Sequence, residues 1–335
     1  MQNKIHIIAE AGTNHNGKVE KAKALIDIAK RSNANSVKFQ IINPWGLYLP
    51  GEYSYGHYDI KKVIKIREDS KLKDSEYETL FSYAAEKGIA LSASVFDLPG
   101  LDLLTRFNPP YIKIASCDLN NVRFLRQVAE RGKKMILSTG MSSLSDIEYS
   151  VNAIVKTGFQ DIVLMHCVSV YPAKLSMTNL NFIDVLKTTF GFPVGFSDHT
   201  GDSIAACMAL TKGATWFEKH YTEDKTQEGF DHAYALEESE FKEYTEALAN
   251  AQQAITSAPV KLGADEMYTR KRARRSLYAA RNIEAGETLT DADILIVRPE
   301  GELDANAIDK IVGTKVKVPV KQYQALSFKL LDFAS

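Results

Sequence analysis

The sequence predicts a (β/α)₈ barrel followed by a small β-rich domain, and three observations lead to this prediction. About eight short apolar runs, each followed by a candidate helix, fill roughly the first 255 residues, which is the usual size of such a barrel. Nearly every run ends in a polar residue. The last 60 or so residues then change to short strand-like bursts separated by turns.

The barrel elements follow one another in regular alternation. The predicted strands lie near residues 5–10, 36–40, 90–94, 111–115, 134–138, 162–166, 193–197 and 215–219. The predicted helices include Val19 to Ser32, Asp74 to Lys87, Asn121 to Arg131, Leu144 to Thr157, Ser203 to Lys212 and Glu238 to Ile255. An open doubly wound sheet is the alternative, but the first turn, Ala11 to Gly17, lacks the glycine-rich phosphate fingerprint that such a sheet usually carries.

The predicted domains are a catalytic barrel over residues 1–256, a linker over 257–273 and a small domain over 274–335. The linker prediction rests on the loss of apolar periodicity after Thr256 and on the basic stretch Arg270 to Arg275. Four strands are predicted for the small domain: Ser276 to Ala280, Ile294 to Val297, Lys315 to Val320 and Ala325 to Lys329. A domain of this size is marginal alone, so we expect it to dock on a barrel.

Composition excludes several classes of protein. The chain has 335 residues, with 41 basic and 42 acidic side chains and a net charge of −1, which argues against a nucleic acid or an anionic membrane as partner. No apolar stretch approaches the roughly 18 residues of a membrane helix, and Met1 to His6 lacks a signal-peptide pattern, so a cytoplasmic location is expected. Cys117, Cys167 and Cys207 are expected to be reduced thiols.

His199 and His220 each follow an apolar run in consecutive β/α units. Parallel strands joined by one helix are neighbours, so both imidazoles can reach one borderline metal such as Mn²⁺, Zn²⁺ or Fe²⁺. Asp231 and His232, on the next loop, are candidates to complete the shell. Each histidine alone is more simply explained as a hydrogen-bonded loop residue, but the paired placement favours a metal.

Polar residues stand at or beyond the ends of all eight predicted strands: Glu10, Lys38, Gln40, Ser92, Ser94, Lys113, Ser116, Ser138, Thr139, His166, Ser169, Ser197, Asp198, His199, Lys219 and His220. In a (β/α)₈ barrel these ends converge on the active site, whereas packing alone would favour apolar residues. The pattern therefore predicts an enzyme.

Lys38 and Lys113 lie inside apolar strands, and a buried lysine needs a counter-charge. An anionic ligand would supply it, with neutral hydroxyl donors to phosphate or carboxylate oxygens from Ser94, Ser116, Ser138 and Ser197. Internal pairing with Glu10 or Asp118 is one alternative. A Schiff-base lysine is another, although imine chemistry needs no metal.

An ordered set of motifs covers nearly the whole chain: Glu10 to Gly17, Val37 to Gln40, Ile112 to Ser116, Leu137 to Met141, His166-Cys167, Tyr171-Pro172, Ser197 to Thr200 and Glu218 to His220. This set resembles the sialic acid synthase family. The tail, Ser276 to Glu287 followed by Val297-Arg298-Pro299, resembles the antifreeze-like (SAF, β-clip) domain of those enzymes. Barrel and tail in this order are more similar to that family than to the Kdo-phosphate and DAHP synthases.

The resemblance implies condensation of phosphoenolpyruvate with an open-chain N-acylated amino sugar, either N-acetylmannosamine or a diacetamido-hexose. The products are a nonulosonic acid and phosphate, released by C–O cleavage. The resemblance also implies a divalent metal on His199 and His220, Mn²⁺ foremost with Mg²⁺ and Co²⁺ as alternatives, and places Glu10 near the reacting centre. The positions matching the phosphoenolpyruvate site are Lys38, Ser94, Lys113, Ser116, Ser138 and Ser197.

Tyr171 and Asp231 match sugar-side positions of the family, and Gln40 is added to the substrate-binding set as a polar strand end. Arg298 matches the SAF-domain arginine that reaches a partner subunit's site, which implies a domain-swapped homodimer. Three residues depart from the family pattern: Asp118 replaces a glutamate, Ser169 an asparagine and Ser94 a threonine. Asp118 and Ser169 lie near the acceptor, so they bear on its identity.

An aromatic insert, Asn43 to Asp59, contains Trp45, Tyr48, Tyr53, Tyr55, His57 and Tyr58. It is interpreted either as a lid over the sugar or as a packing surface. Two rival functions are a barrel metal hydrolase and a non-catalytic sugar-binding protein. The first commonly places a His-x-His pair where this chain has Ile8-Ala9-Glu10, and the second needs no polar strand ends.

Overall fold

The structure is a computed structural model that describes residues 4–49, 54–55, 58–229, 231–255 and 262–333. The chain divides into two compact units, residues 1–257 and 258–335. No helix among these residues is long and apolar enough to cross a membrane.

The first unit is a closed barrel of eight parallel strands in chain order, which confirms the predicted fold class. We label the barrel strands β1 to β8: His6–Gly12, Ser36–Ile41, Ala90–Val95, Ile112–Ile114, Met135–Ser138, Ile162–Cys167, Val194–Asp198 and Trp216–His220. The helices that follow them, α1 to α8, are Val19–Arg31, Asp74–Lys87, Leu98–Arg106, Val122–Ala129, Leu144–Val155, Asn181–Phe190, Ile204–Thr211 and Glu238–Ala254.

Local capping explains why several helices begin and end where the sequence predicts. Helix α5 starts at a capping box, because the Ser143 hydroxyl accepts from the Asp146 N–H and the Asp146 carboxylate accepts from the Ser143 N–H. Helix α2 ends at Gly88, whose φ of 64° lies in the left-handed region that glycine adopts without strain. Such caps fix the helix ends and thereby the lengths of the loops at each rim of the barrel.

Apolar side chains fill much of the lower half of the barrel interior, together with the mutually hydrogen-bonded hydroxyls of Ser36 and Tyr111. Ile8, Tyr111, Ile136, Val163 and Met165 form one buried cluster there. A second and larger apolar core lies between the outer face of the barrel and the helices. The polar residues of the upper layer therefore face a closed, solid floor.

Strand periodicity of two decides which polar strand residues face the interior. Three that the sequence pattern placed at the strand ends face the helix layer instead. His166 Nε2 hydrogen bonds to the Thr178 carbonyl, and Lys219 Nζ lies 3.2 Å from Asp198 Oδ2 on the neighbouring strand. His166, Asp198 and Lys219 therefore stabilise the outer core and do not line the site.

The loop after β2 contains two short helices, Pro44–Leu47 and Ile60–Asp69, and a hairpin of Ser54–Tyr55 with Tyr58–Asp59. It holds the aromatic insert, of which Tyr53 and His57 lie outside the described residues. Trp45 is 59% exposed. Whether the insert acts as a lid stays a prediction.

The second unit is small and β-rich. Its strands are Ser276–Ala279, which pairs with Ile294–Val297, and Lys315–Val316, which pairs with Leu331–Asp332. The predicted strand Ala325–Lys329 is wrong, because only an isolated bridge from Ala325 to Tyr278 forms there and the last strand begins at Leu331. Leu277, Ile311 and Leu326 are fully buried in its core.

Residues 264–273 of the predicted linker form a helix, so this part is not an irregular segment. Asp265 and Glu266 lie in its first turn and Arg270 to Arg272 in its last, which complements the helix dipole. Arg270 Nε donates to Glu300 Oε1 at 2.6 Å, within the second unit. Whether residues 257–273 act as a linker stays a prediction.

His6, at the start of β1, provides a test of stability against pH. Its ring stacks on Trp216 with centroids 4.0 Å apart, and its Nε2 hydrogen bonds to Ser36 Oγ. Burial, with Lys134 nearby, lowers the pKa of His6 to about 4 from its usual 6.5. Between these two values the unfolded chain binds a proton that the folded chain does not, so stability falls as pH falls from 6.5 to 4.

We expect His6 to account for up to about 3 kcal/mol of the unfolding free energy lost over that range. The His6→Phe variant keeps a ring on Trp216 and should lose less stability between pH 7 and pH 4.5 in urea denaturation. Ser36→Ala is the matched control, because it removes the hydrogen bond and leaves the titrating group. Equal pH slopes for His6→Phe and the parent chain would contradict this origin of the acid sensitivity.

Candidate active site

The first cluster of the site joins strands β1, β2 and β3. Lys38 Nζ forms an ion pair with Glu10 Oε2 and donates to Ser94 Oγ at 2.7 Å. Gln40 Nε2 donates to Glu10 Oε1 at 2.7 Å. Strand register brings these residues together, since Glu10 pairs with Lys38, and Gln40 pairs with Ser94. Lys38 is therefore paired with Glu10 inside the protein, which is one of the alternatives that the sequence left open.

Glu218 is a site residue that the sequence reasoning missed. Its Oε1 lies 3.4 Å from Lys113 Nζ and accepts from Ser197 Oγ at 3.1 Å, and its Oε2 lies 3.8 Å from Lys38 Nζ. Glu218, and not Asp118, thus neutralises Lys113. The available signal was its position two residues before His220, which puts both side chains on the same face of strand β8.

The pKa values of the two buried carboxyl groups, Glu10 and Glu218, are shifted in opposite directions. Burial raises the pKa of Glu10 to about 7, although Lys38 acts against this shift. Burial also opposes ionisation of Glu218, but the ammonium groups of Lys113 and Lys38 outweigh it and hold the pKa of this carboxyl at about 2. Glu218 is therefore a fixed counter-charge, whereas Glu10 can exchange a proton near neutral pH.

Two further serine hydroxyls lie at or just beyond the ends of β4 and β5. Ser138 Oγ, at the end of β5, is buried and has no hydrogen-bond partner among the described residues, so it is free to bind a ligand. Ser116 Oγ accepts from the Gly140 N–H at 3.0 Å. A Cβ at Gly140 would lie 2.4 Å from Ser169 Oγ and 2.9 Å from Cys167 Sγ, so only glycine allows these polar groups to pack together.

The two histidines lie side by side at the ends of β7 and β8. The ring centroids of His199 and His220 are 5.5 Å apart, and the Tyr171 ring lies 4.2 Å from that of His199. His199 Nδ1 donates to the Val168 carbonyl at 2.7 Å, which leaves Nε2 with its lone pair. His220 Nδ1 is buried without a hydrogen-bond partner in the described part of the chain.

These imidazoles fit a divalent metal by their chemistry. Burial lowers the pKa of His199 to about 4, with His220 adding to the shift, and burial also lowers the pKa of His220. Both rings are thus neutral, as ligands must be. Within the described residues, no set of three or more His, Cys, Asp or Glu side chains has the arrangement of a metal site. Two nitrogen ligands would leave the remaining positions to water and substrate.

Asp231 lies beside His220, and His232 is bonded through one ring nitrogen to its own loop. Asp231 Oδ2 is 3.7 Å from His220 Nδ1, and Tyr234 Oη donates to Asp231 Oδ1 at 2.6 Å. His232 Nδ1 is hydrogen-bonded to Thr222 Oγ1 at 2.6 Å, within its own loop. Its Nε2 is buried without a hydrogen-bond partner among the described residues, so a place for His232 in the metal shell stays a prediction.

Two further predicted residues, Asp118 and Arg298, lie outside the barrel strands. Asp118 is buried in a 3₁₀ turn after β4, where burial raises the pKa of its carboxyl. Arg298 follows the strand Ile294–Val297 of the second unit. One group of contacting barrel residues is Glu10, Lys38, Gln40, Ser94, Lys113, Ser197 and Glu218, and another is Tyr171, His199, His220 and Asp231. Ser197 Oγ lies 3.4 Å from His199 Nε2 and joins the two groups.

Paired lysines and carboxylates, serine hydroxyls and two neutral imidazoles lie in the interior of a closed (β/α)₈ barrel, towards the ends of the strands. This arrangement defines the class as barrel proteins whose active site lies at the carboxyl face. The chain belongs to the NeuB family, whose family model matches residues 25–259, and it carries a SAF domain over residues 274–331.

Several relatives are named by their activity. The chain is 33% identical to the N,N'-diacetyllegionaminic acid synthase of Campylobacter jejuni, over 95% of this chain and 96% of that protein. It is also 33% identical to the N-acetylneuraminate-9-phosphate synthase of Drosophila melanogaster, over 93% of this chain and 92% of the relative. The crystal structure of N-acetylneuraminic acid synthetase from Leptospira borgpetersenii, in complex with citrate, matches with a TM-score of 0.72 and 32% identity, covering 80% of this chain and 90% of that chain.

Proposed function

We propose that this protein condenses phosphoenolpyruvate with an open-chain N-acylated amino sugar to give a nonulosonic acid and phosphate. The observation that carries the proposal is the placement of Lys38 and Lys113 around one carboxylate, Glu218, in a barrel that also holds the unpartnered Ser138 hydroxyl at the end of β5. Two ammonium groups and a free hydroxyl suit a phosphate or carboxylate group. The named activities of the relatives, which are synthases of acidic sugars, support the same reaction.

The reaction joins C3 of phosphoenolpyruvate to the aldehyde carbon of the sugar, while positive charge develops at C2. A water then adds to C2, and the C2–O bond to phosphate breaks, so the bridging oxygen leaves with phosphate and the water oxygen becomes the ketone. Lys38 and Lys113 hold the anionic donor. Glu10, whose pKa of about 7 permits proton exchange, is assigned to take the proton from the attacking water or to orient it.

A divalent ion held by His199 and His220, Mn²⁺ first with Mg²⁺ and Co²⁺ as alternatives, would polarise the aldehyde oxygen as a Lewis acid. Tyr171, Asp231 and Ser169 are assigned to the acceptor side. The acceptor is either N-acetylmannosamine or a diacetamido-hexose. Gln40, Ser94, Ser116, Asp118, Ser138 and Ser197 complete the substrate-binding set.

Labelled donor tests this proposal directly. Phosphoenolpyruvate with ¹⁸O at the bridging position is mixed with N-acetylmannosamine and with the diacetamido-hexoses, and phosphate is analysed by mass spectrometry. The label should appear in phosphate, and release should require a sugar. Phosphate release without any sugar would indicate a hydrolase, and label retained in the sugar acid would reject C–O cleavage.

Lys113→Met should raise the Michaelis constant for phosphoenolpyruvate by about 10- to 100-fold. The change removes a charged hydrogen bond worth roughly 1.5–3 kcal/mol from a pocket that must still desolvate the anion. Steady-state kinetics with each substrate varied in turn measure the effect, and the constant for the sugar should change little. Trapping of substrate on either lysine by borohydride would favour the imine alternative instead.

Loss of Lys113 also removes one of the positive charges that balance the buried Glu218 carboxylate. Leaving that charge uncompensated can lower the free energy of unfolding by several kcal/mol. The double variant Lys113→Met/Glu218→Gln removes both charges of the pair and serves as the control. Its thermal unfolding should be closer to that of the parent chain, while its affinity for phosphoenolpyruvate should stay low. A double variant that binds donor normally would show that Lys113 does not hold it.

We further propose a homodimer in which Arg298 of one chain completes the sugar site of the other. Glu10→Ala and Arg298→Ala chains, each nearly inactive, are mixed under conditions of proven subunit exchange. With random pairing, half of the dimers are mixed and carry one intact site of two, so about a quarter of the parent activity should return. Arg281→Ala controls for damage to the second unit, since Arg281 contacts Glu287 and Asp293 there. Absence of recovery would mean that the tail does not serve a partner.

A further inference from the structure

Tyr234 is an aromatic residue of the site that no family motif in the sequence pointed to. It ends the 3₁₀ turn His232–Tyr234 in the loop after β8. Its ring lies 5.2 Å from the His220 ring, edge to face, and 5.1 Å from the Tyr171 ring. Tyr171 and Tyr234 therefore form a continuous aromatic wall beside the two histidines, which we call the tyrosine wall.

The hydroxyl of Tyr234 fixes one side of the Asp231 carboxylate. Oη donates to Asp231 Oδ1 at 2.6 Å, while the other oxygen, Oδ2, lies 3.7 Å from His220 Nδ1. The backbone of Gly12 closes a third side, because a Cβ there would lie 2.6 Å from Asp231 Oδ2. With the carboxylate held in this way, Oδ2 and the second lone pair of Oδ1 can accept a hydrogen bond from a ligand.

We propose that Tyr234 is a positioning and specificity-determining residue for the acceptor sugar: its hydroxyl orients Asp231, and its ring limits the N-acyl group that fits against the tyrosine wall. This inference rests on the proposed function. Apolar C–H groups of a ligand pack on aromatic faces, and a fixed carboxylate accepts from a sugar hydroxyl or amide N–H. The acceptor is thus recognised by one polar contact and one apolar surface.

The Tyr234→Phe variant separates the hydroxyl from the ring. It should raise the Michaelis constant for the acceptor about tenfold, while the constant for phosphoenolpyruvate stays within twofold of the parent value. In a double-mutant cycle, Asp231→Asn should have a much smaller effect on the acceptor constant once Tyr234 is phenylalanine, because the two groups act as a unit. Tyr111→Phe is the matched control, since its hydroxyl bonds to Ser36 low in the barrel.

The Tyr234→Ala variant tests the ring. It should accept sugars with larger N-acyl groups, such as N-propanoyl or N-butanoyl, with at least about a tenfold gain in kcat/KM relative to the N-acetyl sugar. The role of the hydroxyl is overturned if Tyr234→Phe leaves the acceptor constant unchanged, affects both substrates equally, or is additive with Asp231→Asn. The role of the ring is overturned if Tyr234→Ala leaves the acyl preference unchanged.

A crystal structure of Tyr234→Phe makes the test independent of the proposed reaction, because it needs no substrate. Rotation of the Asp231 carboxylate away from its position beside His220 supports the positioning role. An unmoved carboxylate overturns it. If the parent chain releases no phosphate with any sugar, the proposed function fails, while this structural result still decides whether Tyr234 holds Asp231.

Discussion

Replacement of Glu10 by glutamine is expected to lower kcat by about 10²- to 10⁴-fold, the range for loss of a positioned proton-transfer group. The amide keeps the shape of the side chain, but it cannot accept a proton. Glu10 is also the carboxylate of the cluster whose pKa lies near neutrality, whereas that of Glu218 is held at about 2. Single-turnover measurements of phosphate release with both substrates saturating isolate this step.

Glu218→Gln is the matched comparison, because it changes the other buried carboxylate of the same cluster. Glu218 contacts Lys38, Lys113 and Ser197, so its loss should alter the Michaelis constant for phosphoenolpyruvate more than kcat. Circular dichroism establishes that both variants fold. If Glu10→Gln turns over within tenfold of the parent chain, Glu10 is not the proton carrier, and if the two variants lose kcat equally, the division of roles is wrong.

The fold was predictable from the sequence because its signal is repeated. Eight apolar runs alternate with amphipathic stretches, and ends such as Gly88 and Ser143 follow from residue-specific capping. No single unit decides the fold, so an error in one element does not change the prediction. The tail has fewer and weaker signals, and there the strand at Ala325–Lys329 was wrong and the helix over residues 264–273 was missed.

The site was less predictable. A polar residue can be located at the end of a strand from the sequence, but not whether its side chain faces the barrel interior or the helices. Lys219 and His220 are consecutive, yet His220 faces the site and Lys219 pairs with Asp198 towards the helices. The same alternation would have identified Glu218 as an inward residue. Tyr234 carries no such signal, because it acts from a 3₁₀ turn whose direction depends on packing against Asp231 and Tyr171.

Removal of divalent metal is expected to abolish phosphate release, and Mn²⁺ should restore it. His199 and His220 offer two neutral, buried nitrogens, and the bond from His199 Nδ1 to the Val168 carbonyl sets the tautomer that leaves Nε2 for a metal. With two side chains as the protein ligands, each supplies a large part of the affinity. His199→Ala and His220→Ala should each weaken Mn²⁺ binding by at least about 100-fold.

Titration calorimetry with Mn²⁺ alone measures this effect without relying on activity. His166→Gln is the matched control, because His166 is also a buried histidine at the end of a barrel strand but hydrogen bonds to the Thr178 carbonyl towards the helices. It should bind Mn²⁺ like the parent chain. Full activity after exhaustive chelation would contradict the assignment. Equal loss of Mn²⁺ affinity in all three variants would point to general damage to the barrel, because only two of these imidazoles face the site.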